Sequence, residues 1–276
     1  MNLKEGIKIF DHHLKDLKNQ IKINTGVIPI DEVKTEVEYY SNAYLPDANW
    51  RELTDSEFKK VSTAKTESKI FNTLGIGEIP ENLEDLFKEL KFEECQSLFD
   101  VQPKFKDNEK LTLKINNEIN EFLNQKSEDQ NYKFHRITRC MPDMHTTTFH
   151  FLNKEHIRYT GLHIDKSTYF TPNTAYKSDN RISINISMEP RYLYFVNLTL
   201  KQIYRDVQKL DPENITSENI VEKFFALYPN YPVMRLEIKP YQYYIAPTDN
   251  FIHDGSTLGN KNFDITMVYV GMFNKY

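Results

Sequence analysis

The feature that most restricts the fold is a series of short β-prone segments that fills the chain from Tyr132 onwards. The segments are rich in Thr, Ile, Tyr, Phe and Val, the residues that favour strands. In chain order they read KFHRITRC, TTTFHFL, RISINIS, RYLYFVNLTL, MRLEIK, YQYYIAP and FDITMVYVGMF. Turn-forming stretches such as MPD, SDN and PTDN separate them. This pattern predicts a closed or two-sheeted antiparallel structure, interrupted by one helix at about 213–227.

The N-terminal part of the chain shows helical patterns instead. Apolar residues spaced alternately by four and three, from Leu3 to Ile21, predict a helix over about 3–22. Similar spacing predicts a helix around 83–90 and another over about 108–125.

The change of pattern at Tyr132 carries no flexible linker, so we expect the chain to be a single domain, 1–276. Within it, a helix-rich N-terminal part, 1–130, is expected to pack on a strand-rich core, 131–276. The sequence therefore predicts the α+β class.

Composition argues against several classes of protein. The two cysteines, Cys95 and Cys140, lie outside any Cys-x-x-Cys spacing, so we expect neither a disulfide framework nor a thiolate-bound metal. The chain begins without the apolar stretch of a signal peptide and has no uninterrupted apolar run of about 18 residues, which favours a soluble, cytoplasmic protein. A net charge of -5 without a basic block gives no reason to expect nucleic-acid or membrane binding. A small-molecule partner is expected, and the oligomeric state is left open.

Two segments of the strand-rich part carry the residues of a metal site. In TGLHIDKS, His163 and Asp165 are separated by one residue, so on a strand both side chains leave the same face. In IAPTDNFIHDGST, His253 follows a strand and a turn, where antiparallel strands of a barrel could return to the same opening. Two imidazoles and one carboxylate form the facial triad of non-haem Fe(II) oxygenases, which leaves coordination positions open for a co-substrate and dioxygen.

The order His-x-Asp followed by a distal His, with strands on either side, resembles the Fe(II)/2-oxoglutarate-dependent oxygenases. The resemblance covers roughly residues 130–275. It implies a double-stranded β-helix core (a jelly-roll, cupin-like fold) with Fe(II), 2-oxoglutarate and O2 as cofactor and co-substrates. It also implies that His163, Asp165 and His253 are the metal ligands and the catalytic centre.

Members of this family hold the distal carboxylate of 2-oxoglutarate with a cation, often an Arg shortly after the distal His. Here only Lys261 follows His253 at such a distance, and lysine lacks the bidentate fork of arginine. We favour Arg181, on the RISINIS strand, with Thr160 and Asn185 as neutral donors to the co-substrate.

The retained carboxylate of Asp165 indicates the type of oxidation. The halogenating branch of the family replaces this residue with a small one, so we expect a hydroxylating, desaturating or ring-forming enzyme. Free amino acids or natural-product intermediates are the expected substrates.

Three other functions compete with this interpretation. A cupin-type metalloenzyme could use the same triad without 2-oxoglutarate, and a β-barrel binding protein could hold a small molecule without any metal. A zinc hydrolase is less favoured, because no general base is evident. Arg191 is expected to be a salt-bridge partner at the barrel rim, and Arg181 could equally have that role.

Overall fold

The computed structural model describes residues 3–12, 14, 16–64, 70–154, 156–165 and 171–275. The strands formed by these residues are β1 (Lys8–Asp11), β2 (Ile21–Ile23), β3 (Val27–Pro29), β4 (Tyr44–Pro46), β5 (Arg51–Glu52), β6 (Ser62–Thr63), β7 (Thr73–Glu78), β8 (Tyr132–Cys140), β9 (Phe149–Phe151), β10 (Ile157–Tyr159), β11 (Asn180–Asn185), β12 (Arg191–Phe195), β13 (Met234–Ile238), β14 (Gln242–Ala246), β15 (His253–Ser256) and β16 (Asp264–Gly271). The α-helices are α1 (Asp55–Val61), α2 (Glu81–Lys88), α3 (Val101–Lys106), α4 (Glu109–Lys126), α5 (Leu200–Leu210) and α6 (Ile220–Leu227). Short 3-10 helices lie at Leu17–Gln20, Ile30–Glu32, Ile70–Asn72, Phe92–Glu94, Ala175–Lys177 and Thr248–Asn250.

Most strands belong to two sheets. One sheet has seven strands in the order β6-β1-β7-β14-β11-β16-β8, and the other has five in the order β15-β12-β13-β2-β5. Apart from the parallel pairs that β1 makes with β6 and β7, the pairings within these sheets are antiparallel. Two further pairs, β3 with β4 and β9 with β10, stand apart from the large sheets.

The two large sheets pack face to face through an apolar cluster. Leu193 and Leu236 of the five-stranded sheet meet Ile76 and Ala246 of the seven-stranded sheet, and none of the four is more than 1% exposed. Each strand turns alternate side chains to this layer, so the apolar residues of both sheets share one core.

Helices cover the outer faces of both sheets. On the seven-stranded sheet, Ile182 and Ile184 pack in one cluster with Phe87 of α2 and Ile119 of α4. On the five-stranded sheet, the outer cluster joins strand residues such as Tyr194 to helices α5 and α6. The molecule therefore belongs to the α+β class, as the sequence predicts, and its helices leave the layer between the sheets free for side chains of the strands.

The predicted helix over 3–22 is wrong. The described residues of that range form β1, a 3-10 turn at Leu17–Gln20 and the first part of β2, and residues 13 and 15 lie outside the described residues. Ile7 and Ile9 are both fully buried at a spacing of two, so the apolar positions fit a strand as well as a helix. Pairing with β7 and β6 decided between the two periods, as tertiary contacts often override local propensity. The N-terminal part thus contributes strands to both large sheets and does not only pack helices on them.

A second correction concerns the segment RYLYFVNLTL. Its strand ends at Phe195, and helix α5 begins at Leu200 behind a capping box between Thr199 and Gln202. The helix predicted at about 213–227 is shorter and begins at Ile220. The predicted helices at 83–90 and 108–125 are confirmed as α2 and α4. Within the described residues, no helix has the length and hydropathy needed to cross a membrane.

Candidate metal centre

His163 and His253 are brought together by a backbone bridge at the start of β15. The amide of His163 donates to the carbonyl of His253 at 3.0 Å, and the amide of His253 donates to the carbonyl of His163 at 2.8 Å. Directly opposed residues of an antiparallel pair point to the same side, so the two rings lie with their centroids 4.8 Å apart. The expected strand around His163 is reduced to this single bridge.

Asp165 completes the group two residues later. Its amide donates to the carbonyl of Thr248 at 3.2 Å, which ties this segment to the turn before His253. One carboxylate oxygen is 3.6 Å from Nε2 of His163 and the other is 3.6 Å from Nε2 of His253. Ligand atoms of the three residues all lie within 4.8 Å of one another, and no other such group occurs among the described residues.

Both imidazole rings are oriented by backbone carbonyls. Nδ1 of His163 lies 2.9 Å from the carbonyl oxygen of Gly161, and Nδ1 of His253 lies 3.2 Å from that of Phe251. Because a carbonyl oxygen can only accept, each Nδ1 is the donor, which leaves each Nε2 as the atom available to a metal ion. The buried carboxylate of Asp254 is a second neighbour of the His163 ring, 3.5 Å from Nδ1. Such partners fix the tautomer and orientation of metal-binding histidines.

The electrostatic surroundings keep His253 neutral. Burial, reinforced by the neighbouring His163, lowers the pKa of His253 to about 3. At neutral pH the ring is therefore uncharged, which is the state that binds a metal ion. The three residues together bring two imidazole nitrogens and one carboxylate close to a common point.

The three residues stand in the wall of a cavity of about 630 Å³ between the two large sheets. Strands of both sheets form the wall, with β8, β11, β14 and β16 on one side and β12 and β15 on the other. Polar side chains that line it include Thr138, Thr147, Ser183, Tyr244, Thr248 and Thr266, and the positively charged ones include Arg136, Arg181 and Arg191. The volume is that of a site for small molecules.

Arg181 lies in this cavity wall, as the sequence predicts, but its guanidinium is engaged with the candidate metal ligands. Nη1 forms an ion pair with the carboxylate of Asp165. Nη2 lies 4.0 Å from Asp249, another buried carboxylate. Arg181 therefore holds Asp165 in place at the edge of the candidate centre.

Arg191 is a salt-bridge partner, as the sequence predicts, but it lies buried in the cavity wall and not at the barrel rim. Its side chain is only 7% exposed, lies 3.3 Å from Asp264 through Nη1, and donates to the hydroxyl of Thr266. Gly255 makes room for it, because a Cβ at that position would lie 2.4 Å from Nη2 of Arg191 and 2.5 Å from the hydroxyl of Thr147. The sequence feature that could have indicated this buried position is a single arginine at the start of an otherwise apolar strand, RYLYF.

The other three predicted co-substrate residues are not brought to the cavity. Lys261 is exposed on the loop before β16, where its amide donates to Glu189 at 2.8 Å. The side-chain amide of Asn185 is fully buried and donates to the carbonyls of Glu189 and Ile238, so it fastens the turn after β11. Thr160 lies outside the cavity lining, beside β10.

The thiol of Cys140 in the cavity wall is expected to be unreactive. Burial, together with the charge of Asp264, raises its pKa to about 12. At pH 8 we expect iodoacetamide to alkylate Cys140 on the order of a thousand-fold more slowly in the native protein than in the unfolded chain, where the thiol pKa returns to about 8.5. Mass spectrometry of the Cys140 peptide over time measures the rates. Equal rates in both states would contradict a buried, protonated thiol.

Comparisons with known proteins give a match among solved structures alone. No protein-family model matches the chain, and neither does any curated protein. The chain is similar to the Kdo hydroxylase KdoO, described as a non-heme Fe(II) alphaketoglutarate dependent dioxygenase. The structure with alphaketoglutarate and Fe(III) has a TM-score of 0.40 and 11% identity, and the match covers 75% of this chain and 82% of that chain. The structure with cobalt(II) has a TM-score of 0.37 and 12% identity over the same shares.

Proposed function

We propose that the protein is a non-haem Fe(II)- and 2-oxoglutarate-dependent oxygenase that hydroxylates or desaturates a small molecule. The observation that carries the proposal is the convergence of two imidazole nitrogens and one carboxylate in the wall of a cavity. This donor set suits Fe(II) and leaves positions open on the cavity side. His163, Asp165 and His253 would hold the ion, which when bound supplies the reaction of dioxygen with the co-substrate.

We further propose that Arg191 binds the distal carboxylate of 2-oxoglutarate, in place of Arg181 or Lys261. Gly255 follows His253 by two residues on β15, so it lies on the same face of that strand as the candidate ligand. The guanidinium of Arg191 lies over this glycine, where it would face a co-substrate that reaches from the metal. The hydroxyl of Thr266 beside it adds a neutral donor. A guanidinium fork matches a carboxylate in geometry and charge.

In this arrangement Arg181 is a positioning residue for Asp165. The ion pair between them restricts the orientation of the carboxylate that would be a metal ligand. Lys261 has no role in the proposed site, since its position is exposed and outside the cavity.

We also propose that the core is a double-stranded β-helix and that the whole chain is one domain. The chain alternates between sheets in the order expected of a jelly roll: β8, β11, β14 and β16 lie in one sheet, while β12, β13 and β15 lie in the other. His163 extends the second sheet through its bridge to β15. The N-terminal strands β2 and β7 are hydrogen-bonded within these same sheets, which supports a single domain.

The residues of the cavity also bear on the three alternative functions: a cupin-type enzyme, a metal-free binding protein and a zinc hydrolase. A cupin-type enzyme without 2-oxoglutarate needs no buried cation in the cavity, so Arg191 in the cavity wall favours the co-substrate. A metal-free binding protein would have no need to bring two imidazole nitrogens and a carboxylate to one point. A zinc hydrolase needs a general base in the cavity, and Asp165, which among the described residues is the one carboxylate that lines it, is a proposed ligand.

Succinate formation tests the proposal. We expect Fe(II)-loaded protein exposed to air to convert 2-oxoglutarate to succinate even without its substrate, and Asp165→Ala to reduce this rate about 100-fold or more, since a ligand should matter at least as much as its outer partners. Asp179→Ala, which removes an exposed carboxylate outside the cavity, is the matched control and should leave the rate unchanged.

Three results would count against the proposed function. Fe(II) binding without 2-oxoglutarate binding or succinate formation would favour the cupin-type enzyme. Binding of neither would favour a metal-free binding protein. Equal loss of activity in both variants would point to general destabilisation.

A further inference from the structure

The cavity wall is positively charged in a protein that is acidic as a whole. The chain has a net charge of -5, yet the described residues that line the cavity include Arg136, Arg139, Arg181 and Arg191 and a single carboxylate, that of Asp165. A concave, positively lined surface attracts anions against the net charge of the protein. Two of these arginines have an acidic partner: Arg181 contacts Asp165, and Arg191 contacts Asp264.

Arg136 lies on β8, at the edge of the seven-stranded sheet, and its side chain faces the cavity. It is paired with Val268 on β16, and Thr138 two residues later is paired with Thr266. All four residues line the cavity, as expected for positions on one face of paired strands. Arg139 also borders the cavity, but its side chain leaves the opposite face of β8, and its guanidinium donates to the carbonyl of Leu98 at 3.0 Å.

The charged groups around Arg136 are mostly cations. The pKa of the neighbouring His135 is lowered by burial and then by the positive charges of Arg136 and Arg181. Lys133 on the same strand adds to this effect. Within the part of the chain that the structure describes, the side chain of Arg136 forms no hydrogen bond or ion pair, and the residue is exposed. Like charges held together without a counter-ion raise the free energy of the protein, and a bound anion would relieve this cost.

We propose that Arg136 binds an oxyanion, a carboxylate or a phosphate, of the substrate itself. This inference rests on the proposed function, because Arg191 is then occupied by 2-oxoglutarate and Arg181 by Asp165. The planar guanidinium donates two parallel hydrogen bonds to either oxyanion and so fixes the position of the substrate at the cavity opening. Free amino acids meet this requirement, and neutral natural products do not.

The binding of inorganic phosphate and of acetate, the smallest probes of each oxyanion, tests the proposal. Each is titrated at constant ionic strength into the full chain, both metal-free and loaded with Zn(II) and 2-oxoglutarate, and backbone amide NMR shifts are followed. We expect saturable shifts centred on Arg136 and Thr138 for at least one probe, in both states of the protein. Shifts spread over the surface, or none on the cavity face of β8, would overturn the proposal.

Variants of Arg136 separate the guanidinium fork from general charge. Arg136→Gln is expected to weaken binding of the probe about tenfold, the lower end for a charge-assisted hydrogen bond, and Arg136→Lys about threefold. Lys133→Gln, which removes an exposed positive charge of the same strand outside the cavity lining, is the matched control and should change binding less than about twofold. Unchanged binding in Arg136→Gln, or equal losses in Arg136→Gln and Lys133→Gln, would overturn the proposal.

These readouts distinguish the inference from the proposed function. Phosphate and acetate binding to the metal-free chain requires neither iron nor turnover, so it can fail while succinate is still formed. Conversely, absence of metal binding and of succinate would contradict the proposed function and leave the oxyanion measurement interpretable. The Arg136 side chain is exposed, so its variants are expected to keep the native amide spectrum, which the same experiment records.

Discussion

His253→Ala is expected to lower the affinity for Fe(II) or Mn(II) about 100-fold or more and to abolish 2-oxoglutarate turnover. One of the three candidate ligands is lost, and changes even in the outer partners of ligands cost about 10- to 100-fold. The backbone bridge to His163 does not involve the side chain, so the strand pairing should survive. Anaerobic calorimetry with Fe(II), or electron paramagnetic resonance with Mn(II), measures the affinity.

His150→Ala is the matched control for this experiment. His150 also lines the cavity, but it is exposed and stands outside the group of His163, Asp165 and His253. We expect the metal affinity of the His150→Ala variant to stay within about twofold of wild type, as for other surface substitutions. A metal affinity that drops equally in both variants, or in neither, would contradict the assignment of His253 as a ligand.

Arg191→Gln is expected to lower the free energy of unfolding by about 3–5 kcal/mol, the cost of leaving one partner of a buried ion pair uncompensated. Asp264 is only 1% exposed and lies 3.3 Å from Arg191, so its charge would remain in the protein interior without its cation. Urea unfolding followed by circular dichroism gives the change. The double variant Arg191→Gln/Asp264→Asn removes both charges and should recover most of the lost stability.

The same double variant isolates the proposed binding role of Arg191. With stability recovered, we still expect the dissociation constant for 2-oxoglutarate to rise on the order of 100-fold, since a guanidinium–carboxylate pair in a buried site contributes about 2–3 kcal/mol. Metal affinity should be unchanged, because neither residue is a candidate ligand. Recovery of 2-oxoglutarate binding together with stability would show that Arg191 is purely structural, and Arg181 would again be the preferred anchor.

The strand-rich half of the chain could be predicted from the sequence because its signals are local. Segments such as RISINIS and MRLEIK alternate side chains with a period of two and end at turn residues, and the structure has β11 and β13 in them. The helices at Glu81–Lys88 and Glu109–Lys126 were equally readable, because their apolar spacing fits only one period over several turns. The structure of segment 3–22 could not be predicted in this way, since its apolar residues fit both the helical and the strand period. Pairing with distant strands decided between the two.

The candidate site, too, could be predicted from the sequence only in part. The spacing of His163 and Asp165 suggested a shared ion, and the distal His253 suggested the third ligand. That the two imidazoles are opposed, with each Nδ1 held by a carbonyl, required the bridge between segments about 90 residues apart in the chain. The role of Arg191 depends on Gly255 and Thr266, which come from two other strands.

The sequence by itself determined the class of fold, most of the core strands and the residue types of the proposed metal centre, because these follow from side-chain periodicity and ligand chemistry. Only the tertiary structure decided that the N-terminal segment is β-structure, which cations line the cavity, and which of them have acidic partners. The physical reason is that burial and ion pairing are properties of a residue's neighbours in space. Those neighbours come from strands that are distant in the chain, so no local pattern records them.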